Sequence, residues 1–571
     1  MIKENFIRLF EDSFRTNWEL PAFSDYGTNK TLTYGEVAAE VEKLHLLFER
    51  CGVKRDDKIA LIGKNSTNWA VTYIATVTYG AIIVPILQDF KPNDIIHIVN
   101  HSESVLLFSD EAIWDNLDIE QMPNVSAVFS LKDYSLLALK TPNVADLENT
   151  TEVVQNELDR DELSWKHITD LFNEKYAEGF HQYCVRYADK SNKEIVSINY
   201  TSGTTGFSKG VMTSGNALAN NVMFGINSKI IYRESRQVCF LPLAHSYGCA
   251  FDFLTSACIG GHTWFVGRTP SPKILLGAFA EVKPTVIISV PLIIEKIYKK
   301  QVQPILDKKP ISWVLKVPYL DDVVLGQIRQ KLVNAFGGEF WHIILGGAPL
   351  NAEVEEFFHR LKFPMVVGYG MTECAPLIAY EFPDKFQMYS CGKAVTGMEV
   401  KIENPDENGV GEILTRGENL MSGYFKNESA TNEIFTEDGW LRTGDRGVLD
   451  SEGNLFIKGR SKTMLLGANG QNIYPEELEA KLNNMPYVME SIVLQDGEKL
   501  VALVCPDFEM VDANHLEHDA LVAAMEENRK ELNKMVPGYE SISRIRLFGH
   551  EFEKTPKKSI KRFLYTASMG E

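Results

Sequence analysis

The sequence predicts an α/β protein in which a large N-terminal domain is followed by a small α+β domain. Three observations predict it. Strand and helix patterns alternate through the first part of the chain. After Gly459 the pattern changes to helix, two strands, helix and strand. Finally, 571 residues with 44% hydrophobic content are too many for one compact core and too apolar for disorder.

Taken in order, Thr33 and Glu36 form a capping-box pattern ahead of Val37, Val41, Leu44 and Phe48, which repeat at helical spacing until Gly52 ends the run. A strand from Lys58 to Ile62, a helix from Ser66 to Tyr79 and a strand from Ala81 to Ile86 come next, the alternation of a parallel sheet. The stretch from Thr151 to Tyr176 is charged with sparse apolar residues and reads as a surface helix or an insertion without an assigned function. Beyond Gly459 the pattern predicts a helix from Pro475 to Leu482 and two strands meeting at Asp496 and Gly497. A charged helix from His518 to Lys534 and a last strand from Ile542 to Phe548 complete the small domain. No internal repeat or low-complexity tract is visible, which argues against a solenoid or a long flexible linker.

A formal net charge of −19 argues against a nucleic-acid surface, which needs clustered Lys and Arg. The first residues carry Lys3, Glu4 and Arg8 without an apolar run, so a secretory signal is not expected and the cytoplasm is the default location. The longest apolar stretches, Ile59 to Ile62, Ala81 to Leu87 and Val286 to Ile294, fall short of a membrane-spanning length. Eight cysteines without a Cys-x-x-Cys pair suit reduced, buried thiols. His515 and His518 have no further ligand near them and read as solvated.

The strongest chemical signal is Tyr200-Thr201-Ser202-Gly203-Thr204-Thr205-Gly206-Phe207-Ser208-Lys209-Gly210, set between the apolar runs Ile195 to Ile198 and Val211 to Met212. Hydroxyls, glycines and a lysine at this density can surround phosphate oxygens while the chain approaches closely. The glycine and lysine spacing is not that of a Walker loop. A polar β-turn is the bland alternative, but a bare turn has no need of so many donors.

These residues resemble the signature of the adenylate-forming superfamily, Thr-Ser-Gly-Thr-Thr-Gly-x-x-Lys-Gly, which includes acyl-CoA synthetases, firefly luciferase and peptide-synthetase adenylation domains. Further motifs stand in that superfamily's order. They are Pro242-Leu243-Ala244-His245-Ser246-Tyr247-Gly248, Gly346-Gly347-Ala348-Pro349-Leu350, Gly368-Tyr369-Gly370-Met371-Thr372-Glu373, Trp440-Leu441-Arg442-Thr443-Gly444-Asp445, Lys458-Gly459-Arg460-Ser461-Lys462, and Gly470 to Glu479. The resemblance spans nearly the whole chain.

The resemblance implies ATP and Mg2+ as cofactors, with coenzyme A as cosubstrate. In the superfamily the residue matching Glu373 holds the metal, Thr372 contacts the α-phosphate, and Tyr369 packs against adenine beside Gly346 and Gly347. Gly370 and Met371 complete that nucleotide-binding segment. Asp445 accepts both ribose hydroxyls, Arg460 assists at the ribose or phosphates, and His245 sits between nucleotide and acyl pocket. Singly, Glu373 or Asp445 reads as a solvated carboxylate and His245 as a packed histidine; their joint order favours the site. Lys462 matches the hinge about which a small domain rotates, which divides the chain into residues 1–461, the large adenylation domain, and residues 462–571, the mobile one. Asp252 follows Phe251 much as an amino-group anchor would in amino-acid-activating relatives, but the preceding Pro-Leu-x-His pattern is of the acyl-activating kind and Asp252 reads as structural.

One departure stands out. The superfamily often ends on Thr-x-x-Gly-Lys-x-x-Arg, and here Thr555-Pro556-Lys557-Lys558-Ser559-Ile560-Lys561-Arg562 places Ser559 where the catalytic lysine belongs. Lys561 or Lys558 can supply the amine if the loop is shifted, with Lys561 favoured; a basic tail that only decorates the surface is the alternative.

The segments Lys283 to Pro291 and Gly337-Gly338 ahead of Ile343 to Leu350 resemble the long-chain fatty acyl-CoA synthetase branch, which implies a fatty acid as the carboxylic acid substrate. Phe251, Phe253, Leu254 and Ile259 can line an acyl tunnel, but an ordinary core has the same composition. Two other functions are weighed. One is a ligase that loads a carrier protein, expected to be a separate chain. The other, motivated by Ser559, is a nucleotide- or acyl-adenylate-binding protein without turnover. A fatty-acid substrate also implies work near the inner membrane face, through peripheral contact rather than a stable anchor, since no basic amphipathic helix is evident.

Overall fold

Thr33 starts the first long helix as its spacing predicts. Its hydroxyl accepts from the Glu36 N–H at 3.2 Å while the Glu36 carboxylate accepts from the Thr33 N–H at 2.8 Å, and Val37, Val41, Leu44 and Phe48 are buried along one face of Tyr34–Arg50. Strand Lys58–Ile62, helix Thr67–Tyr79 capped by Ser66, and strand Ile82–Ile86 follow in the expected order. Gly80 ends that helix at φ 94°, a conformation that favours glycine. The computed structural model describes residues 2–28, 30–140, 160–201, 208–306, 320–460, 463–466, 472–497, 499–555 and 559–571.

The largest sheet has eight strands in the order Gly423–Tyr424, Lys209–Ser214, Ile195–Thr201, Ile82–Ile86, Lys58–Ile62, Ser104–Ser109, Ala127–Ser130 and Leu136–Leu139. Its centre is parallel and its margins antiparallel. Ile59 and Leu61 face one apolar cluster, Ala60 and Ile62 another, so both faces are covered and the strand reads as a continuous apolar run. A second parallel sheet, Val286–Ser289, His342–Leu345 and Met365–Val367, lies in a third cluster with Tyr247 and Phe251. The antiparallel strands Met398–Glu403, Gly411–Gly417, Leu441–Leu449 and Leu455–Arg460 form a separate sheet.

Toward the C-terminus, helices Pro475–Leu482 and His518–Lys534 pack on a sheet of Val488–Asp496, Lys499–Pro506 and Ile542–Leu547. Leu478, Leu482, Val493, Leu500, Leu521 and Leu532 give this unit its own core, as the sequence predicts for an α+β arrangement. Of the charged stretch, Trp165–Lys175 is a helix that buries Ile168 and Phe172, and residues 151–159 lie outside the described ones. Among the described residues no helix is long and apolar enough to cross a membrane, and no group of three or more His, Cys, Asp or Glu could hold a metal. All eight cysteines are free thiols. The His518 side chain is 62% exposed, 4.0 Å from the Glu571 carboxylate.

Candidate active site

Strands Ile195–Thr201 and Lys209–Ser214 form a hairpin whose last pair is Thr201 with Lys209. The loop between them, with Ser202, Gly203, Thr204, Thr205 and Gly206, lies outside the described residues, but its two ends are fixed. Gly210 faces Tyr200 across the hairpin, and a Cβ there would lie 3.1 Å from the tyrosine ring, a tight contact that favours glycine.

The short strand Gly423–Tyr424 pairs alongside and brings a residue that the sequence reading missed. The Tyr424 hydroxyl donates to Glu373 Oε1 at 2.9 Å, and Lys209 Nζ lies 4.8 Å from the centre of the Tyr424 ring. The lysine at the phosphate-loop end and the candidate metal carboxylate are thereby gathered on one phenol. Glu373 stands in the turn Thr372–Cys374, anchored by the Met421 N–H donating to its carbonyl at 2.8 Å; Thr372 is almost buried. Ahead of that turn the Met371 N–H donates to the Pro376 carbonyl at 2.9 Å, and the same carbonyl lies so close to Gly370 that a Cβ would collide with it.

The Tyr369 hydroxyl donates to Asp445 Oδ2 at 2.6 Å, and Arg460 Nε lies 3.3 Å from Asp445 Oδ1. Asp445 and Arg460 are direct partners of adjacent antiparallel strands, so the sheet itself sets this pair. Burial pushes the Asp445 carboxyl above the usual range; Arg460 and the Tyr369 hydroxyl oppose the rise, while Glu373 and Glu476 add to it. A cis-diol has the donors this carboxylate would accept, and the fixed cation beside it can balance its charge.

Gly346 and Gly347 follow strand His342–Leu345. A Cβ on Gly346 would lie 3.1 Å from the Tyr247 ring, and Gly347 has φ +86°. Tyr247 in turn donates its hydroxyl proton to the Ile344 carbonyl at 3.1 Å, which ties the His245-to-Gly248 motif to the glycine segment. His245 caps the turn that follows, its Nδ1 accepting from the Tyr247 N–H at 3.3 Å. The Gly368 N–H donates to the Leu345 carbonyl at 2.8 Å, so residues of six motifs distant in sequence are joined by these contacts, and the groups they present are two carboxylates, two cations, phenols and close-packed glycines. A nucleoside triphosphate and its divalent cation fit this donor set, in which Glu373 would be the carboxylate to hold the metal.

The C-terminal lysines are placed differently. Lys561 Nζ pairs with Glu553 at 2.7 Å rather than with Glu373 or Asp445, and Ser559 is exposed. Lys558 and Lys462 lie outside the described residues. Glu553 is also 3.9 Å from Lys91, which connects this hairpin to the loop after strand Ile82–Ile86. Asp252 is fully buried with neither carboxylate oxygen hydrogen-bonded, and burial pushes its carboxyl well above the usual range.

The model of the AMP-binding enzyme family matches residues 10–425, and that of the AMP-binding enzyme C-terminal domain matches residues 462–568. Among curated relatives, the long-chain-fatty-acid–CoA ligase FadD15 of Mycobacterium bovis is 28% identical over 93% of this chain and 90% of its own length. The long-chain-fatty-acid–CoA ligase ACSBG1 of Homo sapiens is 28% identical over 80% of this chain and 64% of its own. Of solved structures, ATP-bound MatB from Rhodopseudomonas palustris superposes with a TM-score of 0.74 at 19% identity, covering 98% of each chain. The o-succinylbenzoate coenzyme A synthetase MenE of Bacillus subtilis, in complex with ATP and magnesium, superposes with a TM-score of 0.70 at 20% identity, covering 97% of this chain and 98% of that one. These superpositions share the fold described above, and because the first family match alone takes in more than half of the residues, this chain belongs to the AMP-binding enzyme family.

Proposed function

We propose that the protein is a long-chain fatty acid–CoA ligase: it activates the acid with ATP as an acyl-adenylate and transfers the acyl group to coenzyme A. The observation that carries this reading is the convergence of Lys209 and Glu373 on Tyr424, beside the Tyr369–Asp445–Arg460 group. The long chain of the acid rests on the names of the curated relatives.

In the first half-reaction a carboxylate oxygen bonds to the α-phosphorus, the bond from that phosphorus to the α,β-bridging oxygen breaks, and pyrophosphate leaves. In the second, the coenzyme A thiolate attacks the acyl carbonyl and AMP leaves. Bringing a carboxylate to a polyphosphate concentrates negative charge, so the site must supply fixed donors in advance. Lys209, Thr201, Ser202, Gly203, Thr204, Thr205, Gly206 and Thr372 would bind the phosphates, Asp445 and Arg460 the ribose, and Tyr369, Gly346, Gly347, Gly370 and Met371 the adenine. Mg2+, held by Glu373, would neutralise phosphate charge when bound. His245 would orient the acid, and Lys561, with Lys558 the alternative, would carry the mobile cation into the site as residues 462–571 turn about Lys462.

Ser559 favours a second reading, a protein that binds nucleotide or acyl-adenylate without turnover. Purified protein given ATP, magnesium, coenzyme A and a panel of short, long and aromatic acids separates the two by mass spectrometry of the products. Long-chain acyl-CoA as the main thioester supports the ligase. Thioester only when a carrier protein replaces coenzyme A reassigns the acceptor, and none from any acid leaves the binding-only reading.

A further inference from the structure

Tyr200, the last aromatic residue before the phosphate loop, is held by a residue from outside every motif. Its ring is buried beneath Gly210, and its hydroxyl lies 2.7 Å from Nδ1 of His101, in the last turn of helix Pro92–Ser102. The His101 ring meets Tyr200 edge-on, with centroids 5.8 Å apart, and meets Phe425 edge-on at 5.7 Å on another side. Phe425 is tied to the opposite strand of the hairpin, its N–H donating to the Gly210 carbonyl at 2.7 Å. One imidazole thus braces both strands at the point where the loop begins and ends, and Phe425 directly follows the Tyr424 that joins Lys209 to Glu373.

The charge around His101 suits a bracing role. Burial, His97 stacked on it and Lys426 lower its tendency to protonate, and Glu103 opposes them, leaving it below the usual histidine value and neutral near pH 7. Lys426 is itself paired with Glu103 at 2.7 Å, and Lys58 lies 3.9 Å from the same carboxylate.

We propose that His101 is a positioning residue for nucleotide binding: through the Tyr200 hydroxyl and the Phe425 ring it fixes the two hairpin strands at Tyr200 and Gly210, on either side of the proposed phosphate loop. This rests on the reading of the loop as an ATP site. Loss of one partly buried hydrogen bond at a preorganised site should weaken ATP binding by about 3- to 10-fold.

The test is calorimetric binding of ATP by the full chain and by Tyr200→Phe, His101→Ala, His101→Asn and the double variant Tyr200→Phe/His101→Ala, with KM for ATP and for coenzyme A measured alongside. Tyr200→Phe keeps the ring and its packing, so the fold has little reason to change. The inference expects Tyr200→Phe and His101→Ala each to raise the Kd and KM for ATP by that factor while leaving the KM for coenzyme A unchanged. It also expects the double variant to be no worse than the weaker single variant, and His101→Asn, whose amide reaches as far as Nδ1, to recover most of the loss. Wild-type ATP binding that Tyr200→Phe does not alter overturns this inference alone, as does an equal loss toward coenzyme A. No ATP binding by the wild type overturns the reading of the site as well.

Discussion

The Tyr424 hydroxyl donates to Glu373 Oε1 over 2.9 Å, and the face of the same ring carries the Lys209 ammonium at 4.8 Å. A single phenol therefore contacts both the cation that closes the proposed phosphate loop and the carboxylate proposed to hold the metal. Oriented charges of this kind need no reorganisation when phosphate charge shifts during reaction, which is where electrostatic catalysis gains most.

Glu373→Gln keeps the hydrogen bond to Tyr424 but removes the charge. Acyl-adenylate formation should fall by on the order of 10²- to 10³-fold, with the apparent affinity for magnesium weakened. Tyr424→Phe leaves the charge and loses only its positioning, and about a tenfold fall in kcat/KM is expected. Magnesium titrations of pyrophosphate release check both; equal losses in the two variants would contradict the division of roles.

Lys561 and Ser559 carry the prediction about the C-terminal hairpin. Because Lys561 pairs with Glu553, its ammonium must leave that partner to act, and Lys561→Ala should slow adenylation by on the order of 10²-fold. Thioester formation from preformed acyl-adenylate and coenzyme A should be spared. Ser559→Lys should raise the adenylation rate. Single-turnover assays of each half-reaction decide the matter, and an unaffected Lys561→Ala would pass the role to Lys558 or leave the hairpin without one.

Glu355 gives a pH dependence. Burial, with Glu356 adding to it and the Tyr389 N–H opposing, pushes its carboxyl from 4.5 up to about 7. The folded protein therefore holds this proton more tightly than the unfolded chain. Its contribution to stability is fully present below about pH 4.5 and is lost as pH rises through about 7, by on the order of 3 kcal/mol. Thermal midpoints of wild type should fall across that window relative to those of Glu355→Gln; parallel profiles would contradict the assignment.

In the C-terminal unit, Arg562 pairs with Glu479 at 2.7 Å and donates to the Val493 carbonyl at 2.9 Å. Removing one member of a largely buried pair leaves the other uncompensated, and Arg562→Met should cost this unit about 3–5 kcal/mol. Hydrogen exchange would show it as lost protection in Val488–Asp496 with the eight-stranded sheet unchanged.

Regular elements with a strong period were legible: Pro475–Leu482 and His518–Lys534 have the bounds their patterns predict, and Thr33 caps its helix through both bonds of the capping box. The motif residues were named from the resemblance to the adenylate-forming superfamily, and those among the described residues, Lys209, Glu373, Tyr369, Asp445 and Arg460, are brought together by the contacts above. Tyr424 and His101 were not legible in the sequence. Tyr424 works from a two-residue strand, too short to leave an alternating pattern, and His101 acts through a tertiary contact 99 residues from Tyr200 in sequence. Asp252 read as structural; it is buried without a hydrogen-bond partner, and its charge acts on the Tyr247 hydroxyl. The engagement of Lys561 by Glu553 was likewise invisible, since both are ordinary surface charges in the sequence.

Acid-dependent exchange of labelled pyrophosphate into ATP would show whether this site joins a carboxylic acid to the α-phosphate of ATP, and it needs no coenzyme A. Exchange should require magnesium, be strongest with long-chain fatty acids and be lost in Glu373→Gln. ATP binding without exchange in the presence of any acid would rule out acyl-adenylate formation at this site.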